Sequence, residues 1–231
     1  MIDGLFVTGT DTGVGKTRIS VALLGILASM GYRCAGMKPV ACGCEHTPDG
    51  WRHTDALKLM RASSIDIDYD ETNPYPLIKA IAPHLAARQM GIEIDIEHLS
   101  QHARELRGRT DLIVVEGAGG LLVPLHGRQT QVDLMAALEL PILLVVGIRL
   151  GCLNHALLSA DYLRTRNLPV MGWVANCCDG DARYTEENIE TLRRMLDIPL
   201  LAIEGYALDG GNGRLEQDLR MGLTTYLSSP G

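Results

Sequence analysis

Gly9-Thr10-Asp11-Thr12-Gly13-Val14-Gly15-Lys16-Thr17 is the stretch that decides how this chain folds. It directly follows a short apolar run, Gly4-Leu5-Phe6-Val7, and opens a segment of helical periodicity from Ile19 to Met30. A strand, a glycine-rich loop and a helix that begins at Gly-Lys-Thr form the context in which a P-loop pattern carries physical meaning. The loop's N–H groups can converge on phosphate oxygens, and the helix N-terminus adds positive partial charge. Lys16 would then reach the β- and γ-phosphates, and the Thr17 hydroxyl would ligate Mg²⁺. Thr10 stands where the G-x-x-x-x-G-K-[ST] pattern has its first glycine. The stretch predicts a protein that handles nucleotide phosphates.

Outward from this loop, apolar runs of strand length recur at Cys34–Met37, Leu112–Val115, Ile142–Val146, Val170–Ala175 and Leu200–Ile203. Helical patterns separate most of them, at Ile96–Arg107, Asn154–Arg166 and Glu186–Leu196. Continuous apolar strands alternating with helices predict a P-loop NTPase-like three-layer α/β fold. Its central sheet is mainly parallel, with helices on both faces. Ligand groups then gather at the carboxyl ends of the strands. Residues 1–231 read as one domain, a common length for a single α/β unit. The stretch from Ala41 to Gly91 reads as an elaborated insertion with one helix near Thr54–Arg61. A turn at Asp209–Asn212 precedes a short C-terminal helix that is too weakly basic and apolar to anchor in a membrane.

The net charge of −7 argues against a nucleic-acid surface, which normally needs a basic patch. No run reaches the ~18 apolar residues of a membrane span. With a strand already at the N-terminus, no signal peptide is expected, and the chain reads as cytoplasmic. None of the six cysteines lies in a C-x-x-C pair, so they read as reduced, small apolar residues rather than zinc ligands or disulfides. His98 and His102 have helical i, i+4 spacing but lack the glutamate of H-E-x-x-H, and read as solvated.

Leu112-Ile113-Val114-Val115 runs into Glu116-Gly117-Ala118-Gly119-Gly120. A carboxylate ending a buried strand is how such a fold supplies Mg²⁺ with an acidic group. The glycines that follow let backbone approach a ligand. Lys38, ending the second strand, is a candidate second cation at the same sheet edge. Within His53-Thr54-Asp55, either Thr54 or Asp55 could cap a helix, and Asp55 could instead ligate Mg²⁺. The residues alone leave these two open.

Several separate segments resemble the dethiobiotin synthetase family. Gly9-Thr10-Asp11-Thr12 with Val14-Gly15-Lys16-Thr17 is similar to that family's G-T-D-T-x-V-G-K-T, which also accounts for Thr10. Ala35-Gly36-Met37-Lys38-Pro39-Val40-Ala41 and Val115-Glu116-Gly117-Ala118-Gly119-Gly120 match two further segments. Leu150-Gly151-Cys152-Leu153-Asn154-His155-Ala156 and Gly172-Trp173-Val174-Ala175-Asn176 match two more.

The resemblance implies an ATP- and Mg²⁺-dependent ligase that carboxylates 7,8-diaminopelargonate with CO₂ and closes it to dethiobiotin. Lys16 and Lys38 would be catalytic, and Thr17, Asp55 and Glu116 would hold the metal. Thr12 and the Gly13, Val14, Gly15, Lys16 and Thr17 amides would bind phosphates. Asn176 would read the adenine edge, with Cys177 beside it. Gly117, Gly119 and Gly120 would lie against the reacting groups, joined on the substrate side by Thr12, Lys38 and Cys42. Gly151, Leu153 and Asn154 would hold the substrate carboxylate across the interface of a homodimer. Cys42 departs from the family's usual serine, and a thiol is the weaker donor. Glu204-Gly205-Tyr206-Ala207 departs from a Pro-rich base loop. The rival readings are a related ATP-dependent ligase or amidotransferase synthetase of the same P-loop group and, from another class, an ATP-switch protein of the partition type, which has a second lysine where this chain has Asp11.

Overall fold

The computed structural model describes residues 3–177, 184–205 and 214–228. The chain begins β1 (Gly4–Gly9), α1 (Lys16–Ser29), β2 (Cys34–Met37). It then makes an excursion of short pieces: β3 (Val40–Cys42), β4 (Glu45–Thr47), β5 (Gly50–Arg52), α2 (Thr54–Ala62), α3 (Tyr69–Thr72), β6 (Tyr75–Leu77) and α4 (Pro83–Gln89). After α5 (Ile96–Arg107) and β7 (Leu112–Glu116) come a hairpin, β8 (Pro124–His126) and β9 (Gln129–Thr130), then α6 (Gln131–Leu138) and β10 (Ile142–Gly147). The remainder is α7 (Cys152–Thr165), β11 (Val170–Asn176), α8 (Thr185–Met195), β12 (Leu200–Glu204) and α9 (Arg214–Ser228).

The six apolar runs read from the sequence are the six strands of one sheet, ordered β12-β11-β10-β1-β7-β2. Every pairing in it is parallel, so the expectation of a mainly parallel sheet is exceeded. Side chains on successive strand residues face opposite ways, and the core divides accordingly. Leu5, Val7, Val114 and Val145 pack under α1 and α9 through Ile19, Leu23, Leu27, Leu219 and Leu223. Phe6, Ile113 and Val115 face Leu99, Ala103 and Leu106 of α5 and Val132 and Leu138 of α6. Leu144, Val146, Trp173 and Ala175 are covered by α7 and α8. These are the three layers expected of the fold.

Local details depart from the sequence reading. The 41–91 excursion holds three helices and a small sheet of β3 with β6, where one helix was expected, because α3 and α4 are too short to show periodicity. His102 is not simply solvated: its Nε2 lies 2.7 Å from the Glu71 carbonyl, half-buried. His98 is exposed as expected. Cys178, the Tyr206-Ala207 half of the expected base loop and the Asp209–Asn212 turn lie outside the described residues. None of the described helices is long and apolar enough to cross a membrane. Among the described residues Cys34, Cys42, Cys44 and Cys152 are free thiols, and all but Cys42 are buried.

Candidate active site

The connection leaving β1 runs past β7 to β2, whereas that leaving its neighbour β10 runs the other way to β11, which opens a crevice at the carboxyl ends of these two strands. The glycine-rich loop fills that crevice. Gly15 caps α1 with φ 92°, a left-handed conformation that suits glycine, and a Cβ there would lie 1.9 Å from Asn176 Nδ2. Thr10 is not among the residues with positive φ, which is why a side chain is tolerated where the common pattern has glycine. Val14 turns its side chain into the core, and its carbonyl accepts the Asn176 amide at 2.8 Å. Asn176, ending β11, thus braces the loop from below. Cys177 follows it, half-buried, its N–H bonded to the Glu204 carbonyl at 2.9 Å. The Glu204 carboxylate accepts from Arg18 on α1 at 2.9 Å.

Three elements bring charge together at the mouth of this crevice. Glu116, ending β7, is completely buried; its Oε1 accepts from the Thr17 hydroxyl at 2.8 Å and from Lys38 Nζ at 2.5 Å. Lys38, immediately after β2, also donates to the Gly117 carbonyl at 3.1 Å and lies 3.7 Å from Asp55 Oδ2. A buried network fixes its backbone: Asn73 Nδ2 donates to the Lys38 carbonyl, and the Tyr69 hydroxyl donates to Asn73 Oδ1. Lys16 is buried too, its Nζ donating to the Asp11 carbonyl at 2.9 Å. Burial, and next the nearby Lys38, lower the Lys16 pKa from 10.5 to about 8. Asp11 itself is ion-paired with Arg149, which follows β10.

The cap of α2 is neither Thr54 nor Asp55. His53 takes that place, with Nδ1 accepting the Asp55 N–H at 3.1 Å. Its backbone is extended, with φ −110° and ψ 136°, while Thr54 and Asp55 already lie within the helix. The Asp55 carboxylate is therefore left to face Lys38. Burial holds His53 below its ordinary pKa, which keeps the ring neutral and its Nδ1 an acceptor.

These groups line a cavity of about 620 Å³. Its polar lining includes Lys16, Thr17, Lys38, Asp55 and Glu116, and its apolar lining Val40, Ala41, Ile81, Pro83 and Val123. Thr12, Gly13, Gly15, Cys42 and Gly119 also line it. Burial, and next Cys44, push the Cys42 thiol up to about 11, so it stays protonated at neutral pH. Gly119 has φ +62°, and a Cβ there would meet Val123 at 2.9 Å and the Thr12 hydroxyl at 3.4 Å, so this loop and the P-loop face each other closely. Gly120 approaches the carbonyls of Gly9 and Thr10. Gly151, Leu153 and Asn154 are not brought to this cavity; they lie at the start of α7, with Gly151 and Asn154 exposed.

Glu116 Oε2 is buried with no hydrogen-bond partner among the described residues, while its Oε1 meets the Thr17 hydroxyl and Lys38, which also faces the Asp55 carboxylate. An oxygen-only set of one or two carboxylates and a hydroxyl, completed by phosphates and water, is what Mg²⁺ takes. Among the described residues no group of three or more His, Cys, Asp or Glu could hold a metal, so an all-protein cage is not formed there. Thr17, Glu116 and Asp55 fit the ion.

A family model described as an AAA domain matches residues 3–204. The chain is 50% identical over 203 residues to the ATP-dependent dethiobiotin synthetase BioD of Nitrosospira multiformis, covering 88% of each protein. This chain belongs to the dethiobiotin synthetase family. The family protein of the same name from Aeromonas hydrophila is 44% identical over 95% of this chain and 96% of its own length. In fold, the chain resembles the Mg-ADP complex of the septum site-determining protein MinD from Pyrococcus horikoshii, with a TM-score of 0.63. That likeness covers 99% of this chain and 98% of the other at 15% identity, and shows the shared architecture alone.

Beyond the residues expected of a dethiobiotin synthetase, the structure adds His53, Asn73 and Gln131. His53-Thr54-Asp55 stood ahead of a legible helix, but which member caps it depends on backbone angles. Asn73 read only as a turn residue before Pro74. Gln131 had one sequence signal, the Thr130-x-x-Asp133 capping box that opens α6 and fixes it at the first helical position.

Proposed function

We propose that this chain is an ATP-dependent dethiobiotin synthetase, joining 7,8-diaminopelargonate and CO₂ with MgATP consumption to give dethiobiotin, ADP and phosphate. The observation that carries this reading is the meeting of Lys16, Thr17, Lys38 and Glu116 in one cavity that apolar side chains also line. A diamine with an alkyl chain needs such a site, cations for the anionic chemistry and apolar wall for the chain.

One amine takes up CO₂ to form a carbamate, and ATP phosphorylates a carbamate oxygen to give a carbamic–phosphoric anhydride. The second amine then attacks the carbonyl carbon, its C–O bond to phosphate breaks, and the ring closes as the amine loses a proton. Two anions must approach one another, so aimed cations and N–H groups do the main work. Lys16 and Lys38 serve as these cations, with Lys38 held in place by Glu116 and Gly117. Thr17, Asp55 and Glu116 would hold Mg²⁺, which when bound would neutralise phosphate charge. Thr12 and the amides of residues 13–17 bind phosphates, and Asn176 with Cys177 flanks the base. Cys42, Gly117, Gly119 and Gly120 line the reacting groups. The second amine is on the same molecule, so no side-chain nucleophile is required.

The same reading makes the protein a cytoplasmic homodimer of single-domain chains, each with the 41–91 elaboration, that binds no nucleic acid or membrane. Gly151, Leu153 and Asn154 of one protomer hold the substrate carboxylate of its partner. The fully exposed Leu150 and the exposed Leu158 beside them support a covered face there.

Phosphate release from MgATP is the test, with diaminopelargonate and bicarbonate present and dethiobiotin followed by mass spectrometry. Dethiobiotin formed in step with phosphate, and lost in Lys38→Ala, is the expected result. Phosphate release that ignores the diamine would overturn the reading in favour of an ATP switch.

A further inference from the structure

We infer that Gln131 is a positioning residue for ring closure: its buried amide holds the Gly117–Gly120 loop over the reacting groups. The inference rests on the synthetase reading above.

Gln131 is 2% exposed although its side chain ends in an amide. Its Oε1 accepts the Ala118 N–H at 2.5 Å, and its Nε2 donates to the Gly120 carbonyl at 3.1 Å and to the Thr8 hydroxyl at 3.4 Å. One amide therefore joins two points of the glycine loop to the strand that feeds the P-loop. A buried amide gains little net stability from such bonds, yet leaving the loop's own groups unmatched would cost more. Its distinctive consequence is thus geometric.

Apart from Gln131, hydrogen bonds among the described residues hold the loop at Gly117, whose N–H donates to the Val7 carbonyl at 3.0 Å and whose carbonyl accepts from Lys38. Glycine leaves it conformationally free, and a Cβ at Gly117 would lie 2.6–2.7 Å from the Gln131 amide atoms, so that position is small in order to admit the glutamine. The loop's Gly117 carbonyl is one of the acceptors that fix Lys38 Nζ. The Ala118 N–H is consumed by Gln131, whereas the Gly119 and Gly120 N–H groups have no partner among the described residues. Gln131 is itself held rigidly. The Thr130–Asp133 capping box starts α6, and the Gln131 N–H bonds the Val123 carbonyl at 2.9 Å. Loosening this loop would shift Lys38 and admit water to the anhydride.

Water and the second amine compete for that anhydride. Attack by the amine gives dethiobiotin and one phosphate. Attack by water cleaves the same mixed anhydride to phosphate and carbamate, and the carbamate reverts to CO₂ and diamine. The ratio of phosphate to dethiobiotin therefore reports the loop's position, which a loss of folded protein would leave at one.

Three variants test this: Gln131→Met, which keeps length without the amide; Gln131→Asn, which keeps the amide one methylene short; and Gly117→Ala, which displaces the amide from the other side. In Gln131→Met the dethiobiotin rate is expected to fall ~10- to 100-fold, with several phosphates released per dethiobiotin. Gln131→Asn should lie between it and wild type, and Gly117→Ala should uncouple in the same way. MgADP affinity by calorimetry should stay within about twofold of wild type. Gln131→Met that turns over at the wild-type rate, or that loses both products in step, overturns the inference. Failure of the wild-type protein itself to make dethiobiotin overturns the activity reading, and the inference with it.

Discussion

Replacing Lys16 with methionine should remove nucleotide binding and at the same time stabilise the nucleotide-free protein. Lys16 is 7% exposed and crowded by Lys38, and its pKa falls from 10.5 to about 8. At 1.36 kcal/mol per pH unit, keeping this ammonium charged in the folded protein costs ~3 kcal/mol. Methionine of similar length escapes that cost but loses the hydrogen bond to the Asp11 carbonyl, worth ~1 kcal/mol. The net gain of ~2 kcal/mol corresponds to roughly 4–8 °C in Tm for a chain of this size. The sign with pH follows from linkage. Between about 8 and 10.5 the unfolded lysine holds its proton while the folded one has released it, so wild-type stability rises with pH across that window. The cost is present in full below about pH 8 and gone above 10.5. The variant's advantage should therefore be largest near pH 7 and shrink through pH 9 and 10. Differential scanning calorimetry of both proteins at pH 7, 8, 9 and 10 measures it. MgATP at 100 times its Kd should raise wild type by ~2.7 kcal/mol and leave the variant unmoved, reversing their order. A Lys16→Met protein less stable than wild type at pH 7, or an advantage that does not change with pH, would refute the electrostatic argument.

Lys38→Met leaves the fully buried Glu116 carboxylate without its cation and should cost ~3–5 kcal/mol, with much of the loss recovered in Lys38→Met/Glu116→Gln; urea unfolding of the four proteins of the cycle gives the coupling. Gly15→Ala forces a Cβ to within 1.9 Å of Asn176 Nδ2 at φ 92°, and should abolish MgADP binding by calorimetry. Gly13→Ala, at φ +74° with open space around it, should cost only ~1 kcal/mol of stability. Cys42→Ser replaces a protonated thiol with a stronger donor, so the diamine KM in steady-state assays should stay the same or fall; a large loss of activity would show that the thiol itself is needed.

The local chemistry of the chain was readable without coordinates. Strand, glycine-rich loop and Lys16-Thr17 helix start are neighbours in sequence, and a buried parallel strand is a continuous apolar run, so all six sheet strands stood out. Family resemblance at Lys38, Glu116 and Asn176 was legible for the same reason, each lying beside a strand end. What the sequence could not contain was the order of the strands. β7 inserts between β1 and β2, and only that insertion sets Glu116 against both Thr17, 99 residues away, and Lys38, 78 residues away. The same is true of Asn176 beneath Val14 and Gln131 beside Ala118 and Thr8. The helix cap at His53 was missed because Thr and Asp are the preferred cap residues, and only the backbone angles place His53 at the cap with Thr54 and Asp55 inside the helix. Periodicity and propensity are properties of a few consecutive residues. Which strand ends meet depends on how the whole sheet buries both its faces, and that alone turns scattered lysines and carboxylates into one site.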